Sequence, residues 1–509
     1  MIIKKQKYES ERENAAGSRV GFLQNILSES DFCIGVIDMK RIICAVLVLL
    51  LVIMIGKGMA AAEGESMSVR YWHFGFGRRQ ILFEEDKVGD LYIAGYNNGV
   101  KISGVLDYCE ARAVWLEAGG AGVLLIGIDC VALDSGTIEE IRNELRNIPG
   151  CMTVNVYSTH THAGPDTLGL WGHIGFNGKN AAYMNALKAA AVEAAREAAS
   201  ARKPAEMYYG KVQTQDMYRD SRIPVVYDEN LYQLRLQACD GSAGLRLLFY
   251  GAHAESLRGD NTLLSRDYPG RLCDNIHAAT GDDAMFFPGA IGGLIMTRLF
   301  VNNMPDGAVE NMHITGDKLT EYALSIGSED ERLLEPGIKQ ACRPFDIPLD
   351  NTVFMMYKFL GILNSKAVPG KSATGLCVQS ELNLIMLDDI ALLLIPGEIF
   401  PELVSGEAYG DSNPAGVNPR PLKDIALEYG INELLIIGLA NDELGYIIPP
   451  SDFLVNDRLP YLNRVTDANG EDHYEETNSV GPACAGCIAE ALDTVLKQLF
   501  PDIAPFKRS

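Results

Sequence analysis

The amino-acid sequence predicts an α/β fold, a single large domain of mixed β-sheets flanked by helices. Three features predict it. Short, strongly apolar runs of strand length recur along the chain, separated by amphipathic segments of helical length. The two kinds alternate without strict strand–helix–strand regularity, and several strands meet across tight turns as hairpins, so the sheets are expected to be mixed. The chain has 509 residues, 47% of them hydrophobic, enough for one large core. No internal repeat or low-complexity linker divides it, so residues 63–500 are read as one domain, followed by a tail at 501–509.

In chain order, residues 1–38 form a polar N-terminal extension, read as a mis-called start with Met39 as the true first residue. Residues 39–62 then carry Met39-Lys40-Arg41, the 14 apolar residues Ile42 to Ile55, and the small-residue exit Ala60-Ala61-Ala62. A basic start, an apolar stretch too short for the ~20 residues of a membrane span, and a small-residue exit make a signal peptide. If Met1 is the start, the segment serves instead as an uncleaved anchor, with membrane association through residues 42–55. Either way Lys40 and Arg41 hold the N-side in the cytoplasm and send the rest outward, to the periplasm, cell surface or exterior. No lipobox cysteine stands at the exit.

Past the leader, Ala111–Glu117 and Gly122–Ile128 read as neighbouring strands across Gly119-Gly120. Gly75-Phe76-Gly77 lacks a third glycine in register and is no dinucleotide loop. Ser135 to Ile148 is an amphipathic helix with Ser135 as its N-cap. Asn180 to Lys203 is an Ala-rich helix ended by Pro204. Leu231–Ala238 and Leu245–Ala252 form a hairpin, Tyr268–Ala279 a helix and Ala284–Phe287 a strand running into Gly289–Gly293. Leu382–Leu387 and Ile390–Ile395 make a second hairpin, Ile399 to Ser405 a short helix, Glu433–Leu439 a strand, and Gly481-Pro482 opens a last helix to about Leu499. The stretch 327–372 shows no clear pattern.

The net charge of −23 excludes a nucleic-acid partner, which needs a concentrated basic surface, and gives no pull toward anionic lipid. Of eleven cysteines, Cys33 and Cys44 lie in or before the leader. Scattered singles such as Cys109, Cys130, Cys151 and Cys273 sit in apolar runs and read as core residues. Cys484-Ala485-Gly486-Cys487 is a lone CxxC, read as a helix-start disulfide or two packed thiols, since one pair without a second is weak for zinc.

The chemistry centres on Val154 to Gly172, VNVYSTHTHAGPDTLGLWG. An apolar strand ends at Ser158 and presents His160 and His162 two residues apart, before Gly164-Pro165 turns the chain away. In extended backbone such a pair points to one side, so both imidazoles can face one cavity. Three more polar residues each follow a strongly apolar strand: His253, Glu398 and Tyr446. Strand ends are where sites gather in sheets covered by helices. Two imidazoles, a carboxylate and a phenolate suit a zinc ion with room for water. Taken singly, each has a plainer reading as a packed or capping residue; the joint pattern argues for metal.

The run STHTHAGP at 158–165 resembles the motif of the neutral/alkaline non-lysosomal ceramidases and their bacterial relatives. The likeness continues through GYNNGV near Tyr96, ARAVWLE at 111–117, SRIP at 221–224, GAHAESL at 251–257 and NTLLSRDYPG at 261–270, then LLLIPGE at 392–398, NDELGYIIP at 441–449 and HYEETNSVGP at 473–482. The resemblance implies zinc held by His160, His253, Glu398 and Tyr446. It also implies His162 as a residue needed for activity and Arg222 as an arginine lining the active site. Two departures stand out. The family's catalytic serine loop corresponds to Gly289-Ala290-Ile291-Gly292-Gly293, with no serine, and the family's C-terminal immunoglobulin-like domain is expected to be missing.

The expected activity is thus that of an exported zinc-dependent amidohydrolase, with zinc-activated water attacking an N-acyl amide, a ceramide-like lipid among the candidates. His162 is expected to pass a proton to the leaving amine, and Arg222 with Tyr446 to stabilise the oxyanion. Asp166, Trp171 and Leu168-Gly169-Leu170 are read either as a substrate wall or as loop packing. Asp267 is read as support for His253 or as a helix cap, and the acidic run Glu471 to Glu476 as a solvated loop. The alternatives are a metal hydrolase for another amide or ester, and a zinc-binding but inactive surface protein on the same fold. No GxSxG is present for a serine hydrolase.

Overall fold

Strands apolar on both faces set the architecture. In the strand Glu110–Ala118, Ala111, Ala113 and Trp115 pack into one core while Val114, Leu116 and Ala118 pack into another. Alternation disappears from such a strand because neither face meets water. A computed structural model describes residues 71–302, 306–408, 416–468 and 470–503. The extension 1–38 and the leader 39–62 lie outside the described residues.

The larger sheet contains β1 (Trp72–Gln80), β2 (Glu110–Ala118), β3 (Ala121–Ile128) and β4 (Cys151–Ser158). It continues with β5 (Lys203–Gln213), β6 (Asn230–Ala238), β7 (Leu245–Tyr250) and β8 (Asp283–Pro288). Their order is β8-β7-β6-β5-β1-β2-β3-β4, with β9 (Arg332–Leu334) pairing β5. The terminal pairs β8–β7 and β3–β4 are parallel and the inner pairs antiparallel, a mixed sheet as expected. The second sheet runs β10 (Ile338–Pro348), β12 (Leu376–Leu387), β13 (Ile390–Leu394), β15 (Glu433–Ile437), with β11 (Ala367–Pro369) also pairing β12. A two-residue parallel ladder joins β14 (Glu398–Ile399) to β16 (Tyr446–Ile447).

The two sheets share one core. Leu125, Leu236, Phe249 and Phe287 of the first meet Ile385, Leu392, Leu394 and Ile437 of the second. Helices cover the outer faces. Helices α1 (Ser135–Leu145) and α2 (Ala181–Ser200) pack on one half of the large sheet; α3 (Asp267–Thr280) and α4 (Ala308–Ser325) pack on the other. On the second sheet lie α6 (Pro401–Ser405), α7 (Leu422–Leu427) and α8 (Cys484–Leu499). Between them in sequence, α5 (Thr352–Phe359) buries no residue fully. Among the described residues no helix is long and apolar enough to cross a membrane.

Gly75 and Gly77 have a packing role. A Cβ at Gly75 would lie 2.0 Å from the Ala198 carbonyl oxygen, and one at Gly77 would lie 2.2 Å from that of Ala194. The bare backbone of β1 is what lets the Ala-rich α2 seat against it.

Several boundaries differ from expectation. The N-cap of α1 is Asp134, whose carboxylate accepts from the Thr137 N–H at 2.8 Å, and not Ser135. Helix α2 ends at Ser200, and Lys203 and Pro204 already belong to β5, so the proline ends the helix by opening a strand. The helix expected from Ile399 starts at Pro401, because Glu398 and Ile399 are drawn into the ladder with β16. The patternless stretch 327–372 holds β10, an edge strand with Pro344 and Pro348, where a missing N–H costs little. The nine described cysteines are all free, so Cys484 and Cys487 are thiols and not a disulfide.

Candidate metal centre

The ends of β4, β8, β13 and β15 are laced together by backbone hydrogen bonds, and Gly289 N–H, donating to Tyr250 O at 3.1 Å, ties in the end of β7. Ser158 N–H donates to Leu439 O, Gly438 N–H to Pro288 O, Ala440 N–H to Ile395 O and Asn441 N–H to Val156 O, at 2.8–3.2 Å. The Asn441 side chain adds to this by accepting from Val156 N–H at 3.0 Å and donating to Asn155 Oδ1 at 2.9 Å. Residues just past four strands of two sheets are therefore brought to one place.

His160, His253, Glu398 and Tyr446 are all buried there. His253 Nε2 lies 3.0 Å and His160 Nε2 3.5 Å from Glu398 Oε2. Glu398 and Tyr446 stand directly opposite each other in the β14–β16 ladder. His162 is the third imidazole, with Nε2 3.1 Å from His160 Nε2. The ligand atoms of His160, His162 and His253 all lie within 4.8 Å of one another. Ligand atoms around a tetrahedral zinc at ~2.0–2.1 Å stand about 3.3 Å apart, close to the spacings seen for His160, His253 and Glu398.

The imidazoles are oriented from behind. His160 Nδ1 lies 2.7 Å from Val131 O, and His253 Nδ1 lies 2.8 Å from Ile295 O. A carbonyl only accepts, so both Nδ1 atoms carry a proton and each Nε2 is turned toward Glu398 and the cluster. His160 also sits in left-handed backbone, φ 65°, at a cost of roughly 1–3 kcal/mol for a non-glycine residue. Thr159 N–H to Ile128 O and His162 N–H to Ala254 O, both 3.0 Å, brace it on each side.

Electrostatics fit a cation. Burial raises the Glu398 carboxyl, but the attraction of His160 and His253 outweighs it and holds the group well below the ordinary carboxylate range. Burial, then His160 and His253, drives the His162 imidazole down, which keeps it neutral. Burial, then Glu398, raises the Tyr446 phenol. A buried carboxylate, a phenol and three imidazoles make an all-nitrogen-and-oxygen donor set suited to a divalent ion.

Two residues that sequence reasoning left unassigned border His162. Glu255 is buried, with Oε2 3.6 Å from His162 Nδ1, and accepts a hydrogen bond from the Tyr96 hydroxyl. The Tyr96 ring meets the His162 ring edge-on at 5.2 Å. The available signal was a carboxylate two residues past His253, inside GAHAESL.

Arg222 lies on a neighbouring wall, but its donors are taken. Nε donates to Asp452 Oδ2 at 3.0 Å and Nη2 to Glu476 Oε1 at 2.9 Å, while Nη1 lies 2.9 Å from Glu475 Oε2. Glu475 and Glu476 are fully buried, so the acidic run expected to be solvated is half interior, neutralised by this guanidinium. Asp166 accepts from the N–H groups of Leu168, Gly169, Leu170 and Trp171, so it organises the loop and is not itself a wall. Asp267 likewise accepts from Ser256 and Leu257 N–H, fixing the segment after His253, while Arg266 holds the N-cap position of α3.

In the loop Gly289–Gly293, Gly292 has no room for a side chain. A Cβ on Gly292 would lie 2.5 Å from Phe400 Cδ2 and 2.7 Å from Glu398 O. The strand carrying Glu398 is packed onto that glycine.

No protein-family model and no curated protein matches the chain. Solved structures do. The neutral ceramidase from Pseudomonas aeruginosa superposes with a TM-score of 0.66 at 17% identity, over 86% of this chain and 76% of that one. A ceramidase complexed with C2 gives 0.65 at 15% identity, over 86% and 77%. At this identity the likeness is one of architecture: the chain has the mixed-sheet, helix-flanked fold of these ceramidases.

Proposed function

We propose that the protein is a zinc-dependent amidohydrolase that cleaves an N-acyl amide. The observation that carries this reading is the convergence of His160 Nε2, His253 Nε2 and Glu398 Oε2, with both Nδ1 protons committed to backbone carbonyls. His160, His253, Glu398 and Tyr446 would hold the ion. When bound, zinc supplies Lewis acidity, polarising a carbonyl and lowering the pKa of water toward ~7.

The chain's own residues supply the rest. Neutral His162, held between His160 and Glu255, takes the proton released by the attacking water and delivers it to the amide nitrogen as the C–N bond breaks. The products are a carboxylic acid and an amine. Tyr446, opposite Glu398 in the ladder, would complete the set that holds the ion. Arg222 instead ties Asp452, Glu475 and Glu476 into one wall. Gly292 has no room for a nucleophilic side chain, which favours water as the attacking group. Export is part of the proposal and rests on residues 39–62 alone.

The test is hydrolysis of N-acyl amides by purified protein of known metal content, with chelator and after zinc is added back. Activity is expected to disappear with the metal and to return with zinc. Activity that survives full metal removal contradicts the reading.

A further inference from the structure

Two cavities border the metal cluster, and Gly95, Tyr96, His162, Tyr446, Arg464 and Tyr474 line both. The first, of 430 Å³, has an apolar wall of Val131, Leu168, Leu170, Trp171, Phe354 and Leu363. Its acids, Glu398 and Glu443, belong to the metal end. The second, of 470 Å³, is lined by Ser221, Arg222, Glu255, Glu471, Asp472 and Glu475, and Leu294 is its single aliphatic side chain among the described residues. Both volumes fall in the ~300–1,000 Å³ range of small-molecule sites.

The polar cavity is richest in acceptors, with Glu255, Glu471, Asp472 and Glu475 against two cationic groups, Arg222 and Arg464. Arg222 is saturated by carboxylates, and Arg464 is tied to Asp472 at 3.2 Å and stacked 4.5 Å over Tyr474. Glu475 is fully buried and its Oε2 is paired with Arg222 Nη1 at 2.9 Å, while its Oε1 is left without a hydrogen-bond partner. His162 Nδ1 is also buried without a partner. Buried polar atoms left this way are costly, and a ligand that donates to them relieves the cost.

An amide lying across the cluster would send its acyl half into one cavity and its amine half into the other. We propose that the substrate carries a long apolar chain on the acyl side only, and that its amine half is polar, rich in hydrogen-bond donors and not anionic. An N-acylated amino alcohol or amino sugar has this chemistry. Ceramide does not, because its amine half carries a second long chain that the polar cavity has no apolar wall to receive. This inference rests on the amidohydrolase reading and narrows it.

The test uses full-length, zinc-loaded protein and four amides of one dodecanoyl chain, made with ethanolamine, glucosamine, glycine and sphingosine. The expected kcat/KM for the ethanolamine or glucosamine amide exceeds that for the glycine and sphingosine amides at least tenfold. Glu471→Lys, which adds a free donor to the polar cavity, is expected to raise the glycine-to-ethanolamine ratio at least tenfold. A sphingosine or glycine amide that matches or beats the polar neutral ones overturns the inference and leaves the amidohydrolase reading intact. An unchanged ratio in Glu471→Lys also counts against it. Failure to hydrolyse any of the four overturns both.

Discussion

At the scale of single residues, the proposed role of His162 in proton transfer is tested by its removal. His160, His253 and Glu398 converge without it. His162→Ala is therefore expected to lower kcat by ~10²–10⁴-fold, the usual worth of a positioned acid–base group, with zinc content unchanged. Metal analysis alongside kinetics checks this, and loss of zinc in the variant would make His162 a ligand. A second prediction concerns stability. Burial, reinforced by Asp220 and Asp452, pushes the Glu402 carboxyl up to about 8. Below the ordinary carboxylate range, near 4, Glu402 is neutral whether the chain is folded or not. As pH rises toward 8, only the unfolded chain ionises freely, so stability falls across that window, at ~1.4 kcal/mol per pH unit at most. Glu402→Gln should raise Tm at pH 8.5 and leave it nearly unchanged at pH 4. Calorimetry at the two values reads the difference; a variant less stable at pH 8.5 would contradict it. The residues that meet at the cluster were legible because each follows a strongly apolar strand. Glu255 and Tyr96 were not, because their importance comes from a contact between positions 159 residues apart.

At the scale of elements, close backbone approach explains what hydrophobic patterning left unread. Strand β1 is interrupted by two glycines and gives little apolar signal, yet it lies inside the large sheet beneath α2. Gly75→Ala places a methyl against the Ala198 carbonyl and is expected to destabilise the fold by ~1–3 kcal/mol, as overpacking does. Activity per folded molecule should stay level, because the contact is with α2 and not with the cluster. The loop at Gly292 behaves oppositely. Gly292→Ser does not restore a nucleophile; it pushes on Phe400 and on the strand that carries Glu398, so activity and zinc retention should fall together. A gain in activity would contradict the packing described for that loop. The hairpins and the buried strands of both sheets were readable from their apolar runs. Edge strand β10 was not, since proline and solvent-facing polar residues are tolerated at an edge.

At the scale of the whole molecule, two sheets packed face to face bring four strand ends to one place, which no local stretch encodes. The mixed α/β class followed from alternating element types, but the pairing of the second sheet against the first comes from strands whose two faces are equally apolar. Such strands reveal burial and not their partner. Because the cluster ties elements of both sheets, metal binding should stabilise the entire fold. At free zinc 100-fold above Kd, linkage adds ~2.7 kcal/mol of stability, so the chelated protein should unfold at a lower temperature. The most direct measurement is anomalous diffraction at the zinc edge from crystals of the zinc-loaded protein. The account predicts one strong peak within bonding distance of His160 Nε2, His253 Nε2, Glu398 Oε2 and the Tyr446 hydroxyl. A peak at any other group of side chains, or no peak in protein that retains full hydrolytic activity, would contradict it.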